Sequence, residues 1–181
     1  GSFQSDDSFG NISQGNITQT YQIINGQAKL SSSRTVSETY HFENSSLVLG
    51  NLDGSTGIQV ITVNYQYDGN GRLVSANGAG TFESNDGFGN TSKGTIVQTY
   101  KIINGQAKLG ESITSSSSKN LDGSSAEQII VVAYEYDNAG RLVSSRGEGT
   151  SESNDGFGNI SRGTITQSYV IINGQSKLSS S

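Results

Sequence analysis

"YKIINGQAKL" runs from Tyr100 to Leu109, and close copies, "YQIINGQAKL" and "YVIINGQSKL", run from Tyr21 to Leu30 and from Tyr169 to Leu178. In each, an Asn-Gly pair interrupts alternating apolar residues. This is the strongest short-range signal for a two-residue β-hairpin. The type I′ turn needs positive φ at both central residues, which Asn tolerates and Gly adopts without a Cβ clash. Turns are therefore expected at Asn25-Gly26, Asn104-Gly105 and Asn173-Gly174. With the turn at Asn104 and Gly105, Ile103 faces Gln106, Ile102 faces Ala107 and Tyr100 faces Leu109. Period-two alternation then puts Ile96, Tyr100, Ile102, Ala107 and Leu109 on one face, and Thr95, Val97, Thr99, Lys101 and Lys108 on the other.

Outward from this hairpin the chain repeats. "NLDGSTGIQVITVNYQYDGNGRLVSANGAGTFESNDGFGN" from Asn51 matches "NLDGSSAEQIIVVAYEYDNAGRLVSSRGEGTSESNDGFGN" from Asn120, an offset of 69 residues. The expected organisation is one continuous array: a half unit with a long insertion over 1–50, a full unit over 51–119, and a second, near-full unit over 120–181. Each unit reads as two hairpins. The second hairpin type turns at "YDGNGRL", with Asp68 and Gly71 as turn residues, and at "YDNAGRL", with Asp137 and Gly140. Ile61, Val63, Tyr65 and Tyr67 share a face, as do Ile130, Val132, Tyr134 and Tyr136. Thr, Val, Ile and Tyr at a period of two favour strand over helix.

The fold expected is all-β. Antiparallel hairpin repeats, about ten strands, form an elongated or curled meander sheet or a sandwich. Each strand has an apolar face, so a covering layer or a curl is expected to bury one side.

"YDGNGRL" and "YDNAGRL" resemble the Tyr-Asp-x-x-Gly-Arg-Leu signature of the YD, or RHS, repeats, through Tyr67, Asp68, Gly71, Arg72 and Leu73 and through Tyr136, Asp137, Gly140, Arg141 and Leu142. That family includes bacterial RHS toxins, insecticidal toxin-complex components and teneurins. The resemblance implies a hairpin-repeat architecture in a secreted or surface-exposed bacterial protein. A toxin shell fragment is one alternative it raises.

Composition narrows the function classes. The chain has 181 residues, a formal net charge of −5, no Cys, Pro, Met or Trp, and one histidine. Without cysteine there is neither a disulfide nor a thiolate metal site. Lys and Arg are scattered, so no basic face for nucleic acid is expected. No apolar run approaches the roughly 18 residues of a membrane helix, and no stretch reads as a signal peptide. Gly1-Ser2 reads as a cloning remnant, so the chain is expected to be an excerpt of a longer protein.

Four features are candidate sites. "SNDGFGN" at Ser84–Asn90 and Ser153–Asn159 offers Asp86, Asn90, Asp155 and Asn159 as oxygen ligands for calcium, but Asx-capped turns are the favoured reading. The carboxylate pairs Glu83 with Asp86 and Glu152 with Asp155 could in principle cleave a glycoside. No nucleophile, phosphate-loop or zinc-protease motif accompanies them, and an enzyme is not expected. The exposed Thr, Gln and Tyr ladder could bind a glycan. The insertion "SSSRTVSETYHFENSSLVLG" reads as an extra hairpin around "ENSS", with Tyr40, His41 and Phe42 as ligand candidates.

The leading expectation is a non-enzymatic structural repeat: a stalk, adhesin or fibre element, secreted or at the cell surface, with no required cofactor. Its partners would be neighbouring repeats, with self-association through edge strands as a further route. A carbohydrate- or ligand-binding module is the alternative.

Overall fold

The computed structural model describes residues 1–181. It contains twelve strands and no helix: β1 (Ser2–Asp6), β2 (Asn11–Ile24), β3 (Gln27–Glu43), β4 (Ser46–Leu49), β5 (Thr56–Tyr67), β6 (Leu73–Asn85), β7 (Thr91–Ile103), β8 (Gln106–Lys119), β9 (Ser125–Tyr136), β10 (Leu142–Asn154), β11 (Ile160–Ile172) and β12 (Gln175–Ser180). All pair antiparallel in one open sheet of order β1-β2-β3-β5-β6-β7-β8-β9-β10-β11-β12, with β4 folded back on β3. Strands β5–β8 lie within residues 51–119, and β9–β12 within 120–181. The short β1 and β4 bring the count above the expected ten.

The Asn-Gly hairpins form as the turn chemistry requires. Asn104 and Gly105 have φ of 51° and 74°, and the other two copies match them. Ile103 pairs with Gln106, Ile102 with Ala107 and Tyr100 with Leu109. A bulge at Gly110 follows, between the pairs Tyr100–Leu109 and Thr99–Glu111. The Leu109 carbonyl beside the bulge accepts the Tyr136 hydroxyl at 2.9 Å, and Leu30 accepts Tyr67 likewise at 3.0 Å.

The sandwich does not occur. The sheet is a single layer with no covering element. Its accessible surface is 11210 Å², against about 8400 Å² for a compact 19 kDa protein on the usual size scaling. Only 10 of 181 residues are buried, and just three of those are hydrophobic: Ile12, Ala76 and Ile96. The ladder therefore carries much of the order: 104 of 117 backbone–backbone hydrogen bonds lie within the strands.

Apolar contacts come from neighbours on the same face. One face, the tyrosine face, carries Tyr65, Tyr100, Tyr134 and Tyr169 in one lateral zone. Small residues between them, Ala76 on β6 and Ser145 on β10, are covered to 6% and 9% exposure. Mid-strand glycines play a related part. A Cβ at Gly94 would lie 2.6 Å from the Phe82 ring, and one at Gly80 would lie 2.8 Å from Ile61 Cγ1. The cross-strand side chain lies over the glycine, which compensates a residue that otherwise weakens a strand.

Candidate functional site

At one end of the strands the loops form a continuous row. In "SNDGFGN", the Asp86 carboxylate accepts N–H groups of Phe88 at 2.8 Å and Asn90 at 3.0 Å, and its second oxygen takes the Asn90 amide. Asp155 binds Phe157 and Asn159 in the same pattern. Phe88 N–H, followed by the Asn90 amide, holds the Asp86 carboxyl below the ordinary aspartate range; for Asp155 the Asn159 amide leads. These oxygens cap their own loop. An Asx turn accounts for all of these contacts.

The Asp86 loop and its N-terminal counterpart, in which Asp7 accepts the N–H groups of Phe9 and Asn11, clasp their neighbours. Asn90 Oδ1 accepts the Leu121 N–H at 2.9 Å, and Asn11 Oδ1 accepts that of Leu52 at 3.0 Å. Gly87 packs so closely on "NLDG" that a Cβ would lie 2.7 Å from the Asp53 carbonyl oxygen. At the opposite end of the strands, Asn25 Nδ2 donates to the Gly69 carbonyl at 3.0 Å and Asn104 Nδ2 to that of Asn138 at 3.1 Å. Asn25 and Asn104 thus do two jobs: they adopt positive φ, and they tie their Asn-Gly turns to the next YD turns.

Within the YD turns, Asp68 Oδ1 accepts N–H groups of Asn70 and Arg72, and Oδ2 pairs with Arg72 Nε at 2.8 Å. Asp137 and Arg141 repeat this at 2.7 Å. Leu73 and Leu142 pair across the strands with Tyr67 and Tyr136. Every residue of the signature therefore has a local structural use.

The insertion does not gather its three candidates into one site. It forms the β3–β4 hairpin, with Asn44 and Ser45 at positive φ. Tyr40 pairs with Leu49 and Phe42 with Leu47, so alternation sends His41 to the other face. Tyr40 donates to Glu38 at 2.7 Å, and this bond raises its hydroxyl pKa. His41 Nδ1 lies 2.7 Å from the Gly50 carbonyl oxygen.

A different concavity lies on the face opposite the tyrosines. It is an open trough of about 790 Å³ across β6 to β11. Its charged row follows the register: Glu83 opposite Lys93, then Ser117, Glu127, Glu152 and Arg162. Arg162 Nε pairs with Glu152 at 2.7 Å. Glu127 directly faces Glu152, a like-charge pair that costs stability unless a cation sits nearby. A neighbouring row supplies hydroxyls from Thr81, Thr95, Ser115 and Thr150. Sequence reasoning singled out Glu83 and Glu152 but missed Glu127, Lys93 and Arg162. These meet only through the pairing of distant strands.

Comparison with protein-family models, with curated proteins and with solved structures finds no match.

Proposed function

We propose that the chain is a non-catalytic structural repeat of a long bacterial protein, secreted or displayed at the cell surface, where it serves as a stalk, adhesin or matrix element. One observation carries this reading. Thr95 and Thr164, equivalent residues of successive units, lie in one unbroken lateral row through Ser115, Ile129 and Thr150. Each unit therefore adds four strands with no net slip. At about 4.8 Å per strand this is roughly 19 Å of sheet per unit. Repetition converts directly into length, a use that suits a spacer. The clasped loops and turns at both strand ends support the same role by tying each hairpin to the next. The resemblance to YD repeats supports the bacterial, extracellular setting.

The test is deletion of residues 51–119. The shortened chain should fold cooperatively with native-like circular dichroism, and its sheet should be shorter by about 19 Å in scattering. Loss of folding would contradict a modular array.

A second reading is favoured by the trough: binding of an extended polar ligand, such as a glycan, along its hydroxyl and charged rows. Binding on a glycan array that disappears in Glu127→Ala and Lys93→Ala would support it.

A further inference from the structure

The chain contains no Cys, Met or Trp, so its eight tyrosines are the side chains most readily oxidised by one electron. Four of them stand in two matched pairs on the tyrosine face. Tyr65 on β5 lies opposite Ala76 on β6, and Tyr134 on β9 lies opposite Ser145 on β10. On the far side of these small residues stand Tyr100 on β7 and Tyr169 on β11. The pairs Asn77–Thr99 and Arg146–Ser168 end those ladders, and one step further on Tyr100 comes level with Ala76 and Tyr169 with Ser145. Each tyrosine pair therefore spans three strands with a small residue at its centre. We propose that these pairs are modification sites, at which one-electron oxidation joins Tyr65 to Tyr100 and Tyr134 to Tyr169 as dityrosine.

Three observations bring the rings of a pair together. The first is reach. Strands two apart in a flat sheet lie about 9.6 Å from each other, yet the hydroxyls of Ser145 on β10 and Ser176 on β12 touch at 2.5 Å. Side chains at this end of the tyrosine face thus meet across an intervening strand. One row away they converge on Gly78 of β6 from both flanks: a Cβ there would meet Gln98 Oε1 of β7 at 2.8 Å and Val63 Cγ2 of β5 at 3.5 Å. The second is cover. Ala76 and Ser145 are 6% and 9% exposed on an otherwise open sheet, so larger side chains lean over them. Tyr100 leans this way. Its hydroxyl donates to Gln98 Oε1 at 2.9 Å, and Gln98 lies on Gly78. Tyr169 repeats this at 2.8 Å through Gln167, which lies on Gly147 of β10. The third is mutual charge. Burial leads the rise in the Tyr100 hydroxyl pKa and the Tyr65 hydroxyl comes next; at Tyr134, burial leads and Tyr169 comes next. Between Tyr100 and β9, by contrast, stands Leu109, which pairs with Tyr100 and fills the gap.

The chemistry needs only an oxidant of the peroxide class, acting through a haem peroxidase. Each ring gives up one electron and its hydroxyl proton and becomes a phenoxyl radical. The two radicals couple through one Cε of each ring, forming a C–C bond. The hydrogen on each coupled carbon then passes to the oxygen of its ring and restores the phenol. Two electrons and two protons leave in all, and hydrogen peroxide takes them up as two waters. The link bolts β5 to β7 past β6, and β9 to β11 past β10. Each closes a span of about 35 residues, and a cross-link of that loop length in a chain of this size raises the melting temperature by about 10 °C. It braces a single layer that has neither a disulfide nor a second sheet.

The test treats the dilute full chain with a haem peroxidase and limiting hydrogen peroxide. The expected product is a monomer on a denaturing gel that carries the blue fluorescence of dityrosine and melts higher than the untreated chain. Tryptic peptide 35–72 should be joined to 94–101, and 120–141 to 163–177. Tyr67→Phe with Tyr136→Phe should keep both links. Tyr65→Phe with Tyr134→Phe should lose them with circular dichroism unchanged, since Phe keeps the ring but forms no phenoxyl radical. Absence of a linked monomer, fluorescence confined to covalent dimers, or links that persist in the Tyr65→Phe, Tyr134→Phe chain would overturn the proposal. A linked monomer that melts no higher would mean that the rings couple only when the fold opens, and would overturn it too.

Discussion

Thr95 and Thr164 occupy the same lateral row of the sheet, four strands apart. Strands in the array therefore advance without climbing, and the two faces keep their chemistry along its length. Tyr65, Tyr100, Tyr134 and Tyr169 stay on one side. Glu83, Lys93, Glu127, Glu152 and Arg162 stay on the other.

The glycines under cross-strand side chains should not tolerate a methyl group equally. A Cβ at Gly94 meets Phe82 and the Ser115 carbonyl oxygen, whereas one at Gly163 meets only a serine hydroxyl. Gly94→Ala should cost about 1–3 kcal/mol in urea unfolding, as overpacking does, with Gly163→Ala clearly milder. Equal effects would mean that the overlying ring does not set the cost.

Asn104 combines a φ of 51° with a hydrogen bond to the Asn138 carbonyl. Asn104→Ala should cost about 1–2 kcal/mol, from the left-handed backbone and the lost clasp together. Asn104→Gly relieves the first and loses only the second. Its smaller loss, measured in the same unfolding assay, isolates the turn-to-turn tie.

Acid should loosen the loops first. Asp7, Asp53, Asp68, Asp86, Asp122, Asp137 and Asp155 are all held below the ordinary aspartate range by hydrogen bonds within their turns. A carboxyl depressed in the folded state stabilises above its unfolded pKa, about 3.9, and loses that contribution as pH falls through the folded value. The melting temperature should be flat from neutral pH to about 5 and then fall below about 4. Asp68→Asn with Asp137→Asn should make the fall shallower.

Alkali should act on the other face. Burial raises the hydroxyl pKa of Tyr65, Tyr100, Tyr134, Tyr136 and Tyr169. A raised acid stabilises fully below its unfolded pKa, about 10, and the contribution is lost as pH climbs through the folded value. Phenolate absorbance in the native chain should rise at higher pH than in urea, and stability should decline above about pH 10. Coincident titrations in the two solvents would place these rings in water.

The hairpins were legible because two local signals agree on one register. Asn104-Gly105 sets the turn, and the alternation through Tyr100, Ile102, Ala107 and Leu109 permits only that pairing. The single layer was not legible. Alternation says that a strand has an apolar face, but not whether a second sheet covers it. The mid-strand glycines at 78, 80, 94, 147 and 149 held the missing information, because bare backbone lets a neighbour's side chain lie flat. The Asp86 and Asp155 loops form Asx turns from local residues, yet the clasps of Asn90 on Leu121 and of Asn11 on Leu52 join residues too far apart in sequence to see. Tyr40 and His41 were grouped by adjacency, although period two already separates them.

Small-angle X-ray scattering of the 181-residue chain, extrapolated to zero concentration, tests the single-layer array most directly. Nine strands of about 44 Å side by side, flanked by the short β1 and β12 in one layer about 10 Å thick, give a radius of gyration of about 19 Å with a flat-particle signature. A value near 16 Å, that of a compact domain of this length, would mean that the sheet folds over on itself and would contradict the open array.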